Sequence, residues 1–249
     1  MGDNLVLLGL LATLGTGLAT GFGALPVLFL RNVSDRLLDT MLGFAAGVML
    51  AATAFSLLVP AVELGGIWVT ILGVVLGAGF VLVLDERIPH MHVLKGKEGP
   101  SSNLRRVWLL ILAITLHNFP EGLAVGVSIG SGDVAAGTVV AIAIGLQNMP
   151  EGLAVALPLL REKYGRGRAL LYAALSGMAE PIAGVIGVAA VTSMHSLLPI
   201  GLAFAAGAML YVVSDEMIPE THRRGFEREG TLGVLIGFIV MMLLDNLFG

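Results

Sequence analysis

The sequence predicts an all-α integral membrane protein of eight transmembrane helices, and three observations carry this. Of 249 residues, 56% are hydrophobic and 13% charged, and the mean hydropathy is +0.92, far from the balance of a soluble globular domain. Apolar runs recur along the whole chain, each close to the roughly 20 residues a helix needs to cross a bilayer core of about 30 Å. The runs lack the alternation of barrel strands, and lipid tolerates only helices or closed barrels because backbone groups must find partners within the protein. The spans fall at about 5–30, 38–62, 66–84, 106–129, 134–160, 168–192, 197–214 and 231–248, forming one transmembrane domain over residues 1–249.

Along the chain, span one carries Gly17 and Gly21 ahead of Pro26, a small-residue spacing that lets helix backbones approach. Span two holds Phe44-Ala45-Ala46-Gly47-Val48-Met49-Leu50, then Ser56, Pro60 and Glu63 toward its far end. Span three contains Gly73 and Gly77 and closes with Asp85-Glu86-Arg87-Ile88-Pro89-His90-Met91-His92, which leads into a short polar loop. Spans four and five are joined by the tight turn Gly130-Ser131-Gly132-Asp133, so they are antiparallel neighbours. Span six contains Ser176 and Glu180-Pro181. Span seven opens with Phe204-Ala205-Ala206-Gly207-Ala208-Met209-Leu210 and closes with Asp215-Glu216-Met217-Ile218-Pro219-Glu220-Thr221-His222. Span eight runs from Gly233 and Gly237 to Asp245. Ser56 and Ser176 are expected to bond between helices, and Met49 and Met209 to pack.

Basic residues accumulate on the cytoplasmic side of a membrane. Of the 14 Lys and Arg, 2 lie between spans one and two, 5 between three and four, 4 between five and six and 3 between seven and eight, with none in the other loops or at the ends. Both termini are therefore expected outside the cytoplasm. Met1-Gly2-Asp3-Asn4 offers no basic region before the first apolar run, so no cleavable signal is expected. The chain has no Cys, which excludes disulfides and thiolate ligands. A net charge of −4 points to no nucleic-acid partner.

The segment Phe44–Leu50 matches Phe204–Leu210 at six of seven positions, yet spans two and seven run in opposite directions. Leu116-His117-Asn118-Phe119-Pro120-Glu121-Gly122 on span four likewise returns as Leu146-Gln147-Asn148-Met149-Pro150-Glu151-Gly152 on span five. Matched segments on oppositely directed helices are the mark of inverted repeats, here 3+2+3, whose binding site lies near the membrane midplane.

The motif supplies the chemistry. Residues three or four apart share a helix face, so His117 and Asn118 flank Glu121 while Gln147 and Asn148 flank Glu151. Pro120, Pro150 and Pro181 cannot donate to the carbonyls of Leu116, Leu146 and Gly177, leaving those oxygens available. No span holds Lys or Arg to neutralise Glu121, Glu151 or Glu180, and an unpaired intramembrane carboxylate is costly. It must hold a proton or a cation. Imidazole, carboxylate and amide oxygens without sulfur suit borderline or hard divalent ions such as Zn²⁺, Cd²⁺, Fe²⁺ or Mn²⁺, and Glu121 and Glu151 could bridge two of them. Asp85, His90, His92, Asp215, Glu216, Glu220 and His222 are expected at the cytoplasmic surface, as solvated polar residues or as an exit path. Glu63, Asp133 and Asp245 are expected near the outer face, as a polar rim or as an entrance that attracts cations.

On these residues the chain resembles the ZIP (Zrt/Irt-like) family of divalent metal transporters, in particular its prokaryotic GufA-like branch. The resemblance rests on His-Asn-Phe-Pro-Glu-Gly at 117–122 and x-Asn-x-Pro-Glu-Gly at 147–152. It implies outward termini, a binuclear site on spans four to six and a homodimer in the cell membrane. One metal would use His117, Glu121, Gln147 and Glu151, and the other Asn118, Glu121, Asn148, Glu151 and Glu180. Many members carry His where Gln147 stands and some carry Asp where Asn148 stands, so this site is less anionic and poorer in nitrogen. The expected function is uptake of Zn²⁺, with Cd²⁺ as surrogate, into the cytoplasm by alternating access. The alternatives are a membrane-embedded dinuclear metal enzyme and a metal-sensing receptor. Against the enzyme, neither copy has the Glu-x-x-His pair of di-iron bundles, and His-Glu-x-x-His is absent.

Overall fold

The computed structural model describes residues 2–30, 33–92, 96–98, 106–222 and 224–248, with the side chains of residues 2, 3, 91, 92, 96–98, 106, 107 and 110 outside that description. His92, placed on an exit path from sequence, thus lies outside the described side chains. So do Arg31, Lys95, Lys97, Arg105, Arg106 and Arg223, six of the basic residues behind the expected orientation.

Ten α-helices make up almost all of the described chain: α1 Gly2–Ala24, α2 Asp35–Ala51, α3 Val59–Arg87, α4 Arg106–Gly130, α5 Val134–Arg161, α6 Arg166–Ser176, α7 Ala179–Ser193, α8 Leu198–Val212, α9 Ile218–Thr221 and α10 Glu227–Phe248. Ser34 caps α2, its hydroxyl accepting from Leu37 N at 3.2 Å. The loop expected after span three contains a short antiparallel pair, β1 His90–His92 and β2 Gly96–Glu98. Six helical stretches among the described residues are long and apolar enough to cross a bilayer. One of them, Asp35–Arg87, is 53 residues long, about 80 Å if straight and too long for a single crossing. It is divided at Gly66, whose φ of 76° and ψ of 168° leave the helical region.

A Cβ at Gly66 would meet nothing within 4 Å, so the cost of Gly66→Ala is conformational alone. A loss of about 1 kcal/mol is expected, read as a lower melting temperature in detergent.

Wide π-type turns follow the two Phe-Ala-Ala-Gly segments, at Ala52–Leu58 and Val213–Met217. The second turn corrects the end of span seven. The helix does not stop near 214 but continues through the turn into α9, with Glu216 buried and Asp215 half-buried rather than both released to water. Span six is one apolar stretch, Arg166–Ser193, built from two helices, α6 and α7, that break at Gly177-Met178. The Gly177 carbonyl is not left free by Pro181, since it accepts from Glu180 N at 3.1 Å.

Helices α1, α4, α5, α6 and α7 pack on one another, flanked by the pairs α2/α10 and α3/α8, of which α2 touches α5 and α8 touches α4. Glycines set the spacing of these crossings. A Cβ on Gly77 would lie 1.9 Å from Phe204 O, and one on Gly237 would lie 2.1 Å from Phe44 O. The same holds for Gly207 on Val74 O at 2.2 Å and Gly47 on Val234 O at 2.0 Å. Each of these contacts becomes the other when 160 is added to, or taken from, every residue number. Gly17 and Gly177, also 160 apart, face each other directly, with a Cβ on either lying 2.3 or 2.2 Å from the other's carbonyl oxygen. The faces turned outward are apolar, including Ile71, Val75, Leu235 and Ile239, and Trp68 is 80% exposed.

Candidate metal centre

Helices α4 and α5 run unbroken through Pro120 and Pro150, so the two motif copies face each other across the antiparallel pair made by the Gly130–Asp133 turn. Gly122 sits against the Glu180 backbone, where a Cβ would be 2.3 Å from its carbonyl oxygen. This contact brings α7 and its carboxylate to the α4 motif. Asn118, Glu121, Gln147, Asn148, Glu151 and Glu180 are each at most 5% exposed.

Within this set Gln147 Nε2 donates to Glu121 Oε1 at 2.8 Å, and Asn148 Nδ2 donates to Glu180 Oε1 at 2.7 Å and to Thr16 O at 2.8 Å. Glu121, Glu151 and Glu180 lie within electrostatic reach of one another, and Glu151 of His117. Seven buried oxygens in the cluster have no hydrogen-bond partner: Glu121 Oε2, both of Glu151, Glu180 Oε2, Asn118 Oδ1, Gln147 Oε1 and Asn148 Oδ1. Burying such acceptors unsatisfied is costly, and here, among the described residues, they have no Lys or Arg to quench them. From Val107 to Leu160 and from Ala169 to His222 the sequence contains neither Lys nor Arg. A divalent cation satisfies the lone pairs and the charge together.

The family model described as ZIP Zinc transporter matches residues 90–245. The chain belongs to the ZIP family. It is 46% identical to the zinc transporter GufA of Myxococcus xanthus, over 97% of this chain and 99% of that one, in line with the branch the motifs suggested. It is 45% identical to the zinc transporter ZIPB of Bordetella bronchiseptica over 93% of this chain and 78% of the relative. Human zinc transporter ZIP11 is 38% identical, with 98% of both chains covered. These relatives and the family are transporters, so the enzyme alternative falls away.

The ZIP chain departs from one part of its sequence reading around Asp85 and Glu216. Asp85, His90 and Glu216, expected at the cytoplasmic surface as solvated residues or as an exit path, are 8%, 1% and 7% exposed, which removes the solvated reading for these three. Glu216 Oε2 lies 2.5 Å from His117 Nε2, and one carboxylate oxygen each from Asp85, Asp215 and Glu216 can be chosen within 4.8 Å of one another. His90 Nε2 is 3.7 Å from Asp85 Oδ1, while its Nδ1 is 2.7 Å from Ile88 O. The physical reason is the wide turn at 213–217, which carries Glu216 inward until it meets the motif imidazole. His117 therefore joins the central cluster to a second, acidic one.

Glu220 and His222 do not join that group. Glu220 pairs with Arg224, which also binds the buried Asp39, and His222 spans Ile218 O at 2.9 Å and Thr231 Oγ1 at 3.0 Å. Asp39 and Arg224 were not singled out from sequence, because an ion pair 185 residues apart leaves no local pattern. Toward the other end, Glu63 and Asp133 are exposed. Asp133 has a structural task, its Oδ1 accepting from Ala136 N at 3.0 Å as the cap of α5. Ser56 donates to Asp245 Oδ1 at 2.6 Å, the helix-to-helix bond expected of it. Met49 and Met209 are packed in the core.

Proposed function

We propose that this ZIP protein carries Zn²⁺ from outside into the cytoplasm through a binuclear midplane site, by alternating access. The observation that carries the reading is the set of seven unsatisfied oxygens around three carboxylates in a region without Lys or Arg. His117, Glu121, Gln147 and Glu151 hold one ion, and Asn118, Glu121, Asn148, Glu151 and Glu180 the other, with Glu121 and Glu151 shared. Cd²⁺, and with lower preference Fe²⁺ and Mn²⁺, fit the same oxygen-rich set. The names of the relatives, zinc transporters all, support Zn²⁺ as the main substrate.

The architecture assigned to this task is eight spans in a 3+2+3 inverted repeat over residues 1–249, both termini outside, in the cell membrane and as a homodimer. Divided at Gly66 and joined by α4, the apolar helical stretches number eight, and the glycine contacts at a constant offset of 160 support the repeat. The outer Glu63 and Asp133 draw cations in. Asp85, His90, Asp215 and Glu216 receive the ion on its way out, handed over by His117.

Uptake of Zn²⁺ by proteoliposomes, measured beside equilibrium binding to the same protein, tests this reading. Binding without uptake identifies a metal sensor instead. Competing Cd²⁺, Fe²⁺ and Mn²⁺ against Zn²⁺ ranks the substrates, and two Zn²⁺ per chain at saturation is the expected stoichiometry. Carboxylates and imidazole must shed protons to bind metal, and lowering pH favours their protonated forms. The apparent KM for Zn²⁺ therefore rises as pH falls from about 7.5 to about 5.5, across the ordinary imidazole range. A flat profile is incompatible with these ligands.

A further inference from the structure

The offset of 160 that relates α1–α3 to the later helices pairs Glu180 with Thr20, and the contacts obey the pairing. Gly122, next after Glu121, sits on Glu180, with a Cβ 2.3 Å from its carbonyl oxygen, and Gly152, next after Glu151, sits on Thr20, with a Cβ 1.8 Å from its carbonyl oxygen. Thr20 thus stands to Glu151 as Glu180 stands to Glu121, while Gly17 and Gly177, three residues before each, meet face to face.

Thr20 is fully buried and its hydroxyl has no hydrogen-bond partner. The other threonines on this face of α1 are satisfied: Thr13 Oγ1 donates to Gly9 O at 2.7 Å and Thr16 Oγ1 to Thr13 O at 3.1 Å. A helical threonine ordinarily returns its hydroxyl to the carbonyl four residues back, which for Thr20 is Thr16 O. That oxygen instead accepts the Asn148 amide at 2.8 Å. The motif on α5 has taken the usual partner of Thr20 and left the hydroxyl unengaged against α7, where a Cβ on Gly177, one turn before Glu180, would lie 2.9 Å from Thr20 Oγ1.

Resting on the proposed midplane site, we infer that Thr20 is a further binding residue for the transported ion. It supplies a neutral oxygen, directly or through an ion-bound water, at the position where the other half supplies Glu180. The site then has a fourth wall, α1, which contributes a neutral oxygen where α7 contributes a carboxylate.

The test compares Thr20→Val, Thr20→Ala and Thr20→Ser in Zn²⁺ uptake by proteoliposomes and in Zn²⁺ binding to the same preparations. Val keeps the shape without the hydroxyl, Ala guards against a packing failure of Val, and Ser keeps the hydroxyl. Expected is a rise in KM and in dissociation constant of about tenfold for Val and Ala, the scale for losing one neutral hydrogen-bonding group, with maximal rate within about twofold and Ser close to the parent. The inference is overturned if Val and Ala bind like the parent, or if Ser is as impaired as they are, since size rather than the hydroxyl would then matter. Glu121→Ala in the same series keeps the two levels apart: full uptake there removes the midplane site itself, whereas its loss with unaltered Thr20→Val removes only the role of Thr20.

Discussion

Glu121→Ala lowers Zn²⁺ uptake by more than about 100-fold, beyond the effect seen when only a supporting residue of a metal site is lost. Glu121 is fully buried on α4, its Oε1 held by Gln147 and its Oε2 without a partner. Gln147 orients the carboxylate without neutralising it, so the remaining oxygen is aimed into the cluster at little entropic cost. Because Glu121 belongs to both proposed ion positions, its removal empties the site rather than halving it. Asn118→Ala, which touches one position only, should leave one Zn²⁺ bound per chain. Tracer flux together with metal analysis of the purified protein distinguishes these cases, and parent-like flux in Glu121→Ala refutes the site.

Gly152→Ala is the second large effect, and it acts through the backbone. The added methyl carbon would lie 1.8 Å from Thr20 O and 2.7 Å from Thr20 C, and main chain cannot rotate away as a side chain could. Helices α1 and α5 must separate, at a cost of about 3 kcal/mol for overpacking of this severity. Glu151, the preceding residue, moves with the helix, so uptake falls with stability. Gly145→Ala on the same helix is the control: its nearest contact is Ala19 Cβ at 4.0 Å, and its stability stays within about 1 kcal/mol of the parent. Thermal unfolding in detergent reads both, and equal melting temperatures would contradict the close crossing.

The helical class and the polar centre were legible in the sequence because both are local. Apolar runs announce spans, and His117-Asn118-x-x-Glu121 with its copy places polar groups on one face by helical periodicity alone. The Phe-Ala-Ala-Gly segments pointed to an inverted repeat, but only over seven residues. Extended at its constant offset of 160, the same repeat pairs Ser56 with Glu216 and Thr20 with Glu180, and so would have drawn both α1 and Glu216 toward the site. That Glu216 is buried was hidden for a different reason. A charged Asp-Glu pair near a helix end reads as solvated, whereas the wide turn that returns it to His117 depends on hydrogen bonding within the helix rather than on residue type. The Asp39–Arg224 pair was beyond reach, since its partners meet only once the helices have packed.

The wide turns also make the two ends of the molecule unequal. The offset that maps Ser56 onto Glu216 maps Asp245 onto Asp85, so a neutral hydroxyl bonded to a carboxylate at one end faces an all-carboxylate grouping with His117 at the other. In an uncoupled carrier such a difference has a defined thermodynamic limit. An ion shifts the balance of conformations only by its differential affinity for them, and round a closed cycle those differences cancel. In such a carrier the acidic end would govern how quickly the ion leaves on that side and how full that side stands at rest. Net flow still stops at equal electrochemical potential of the ion, wherever the carboxylates lie.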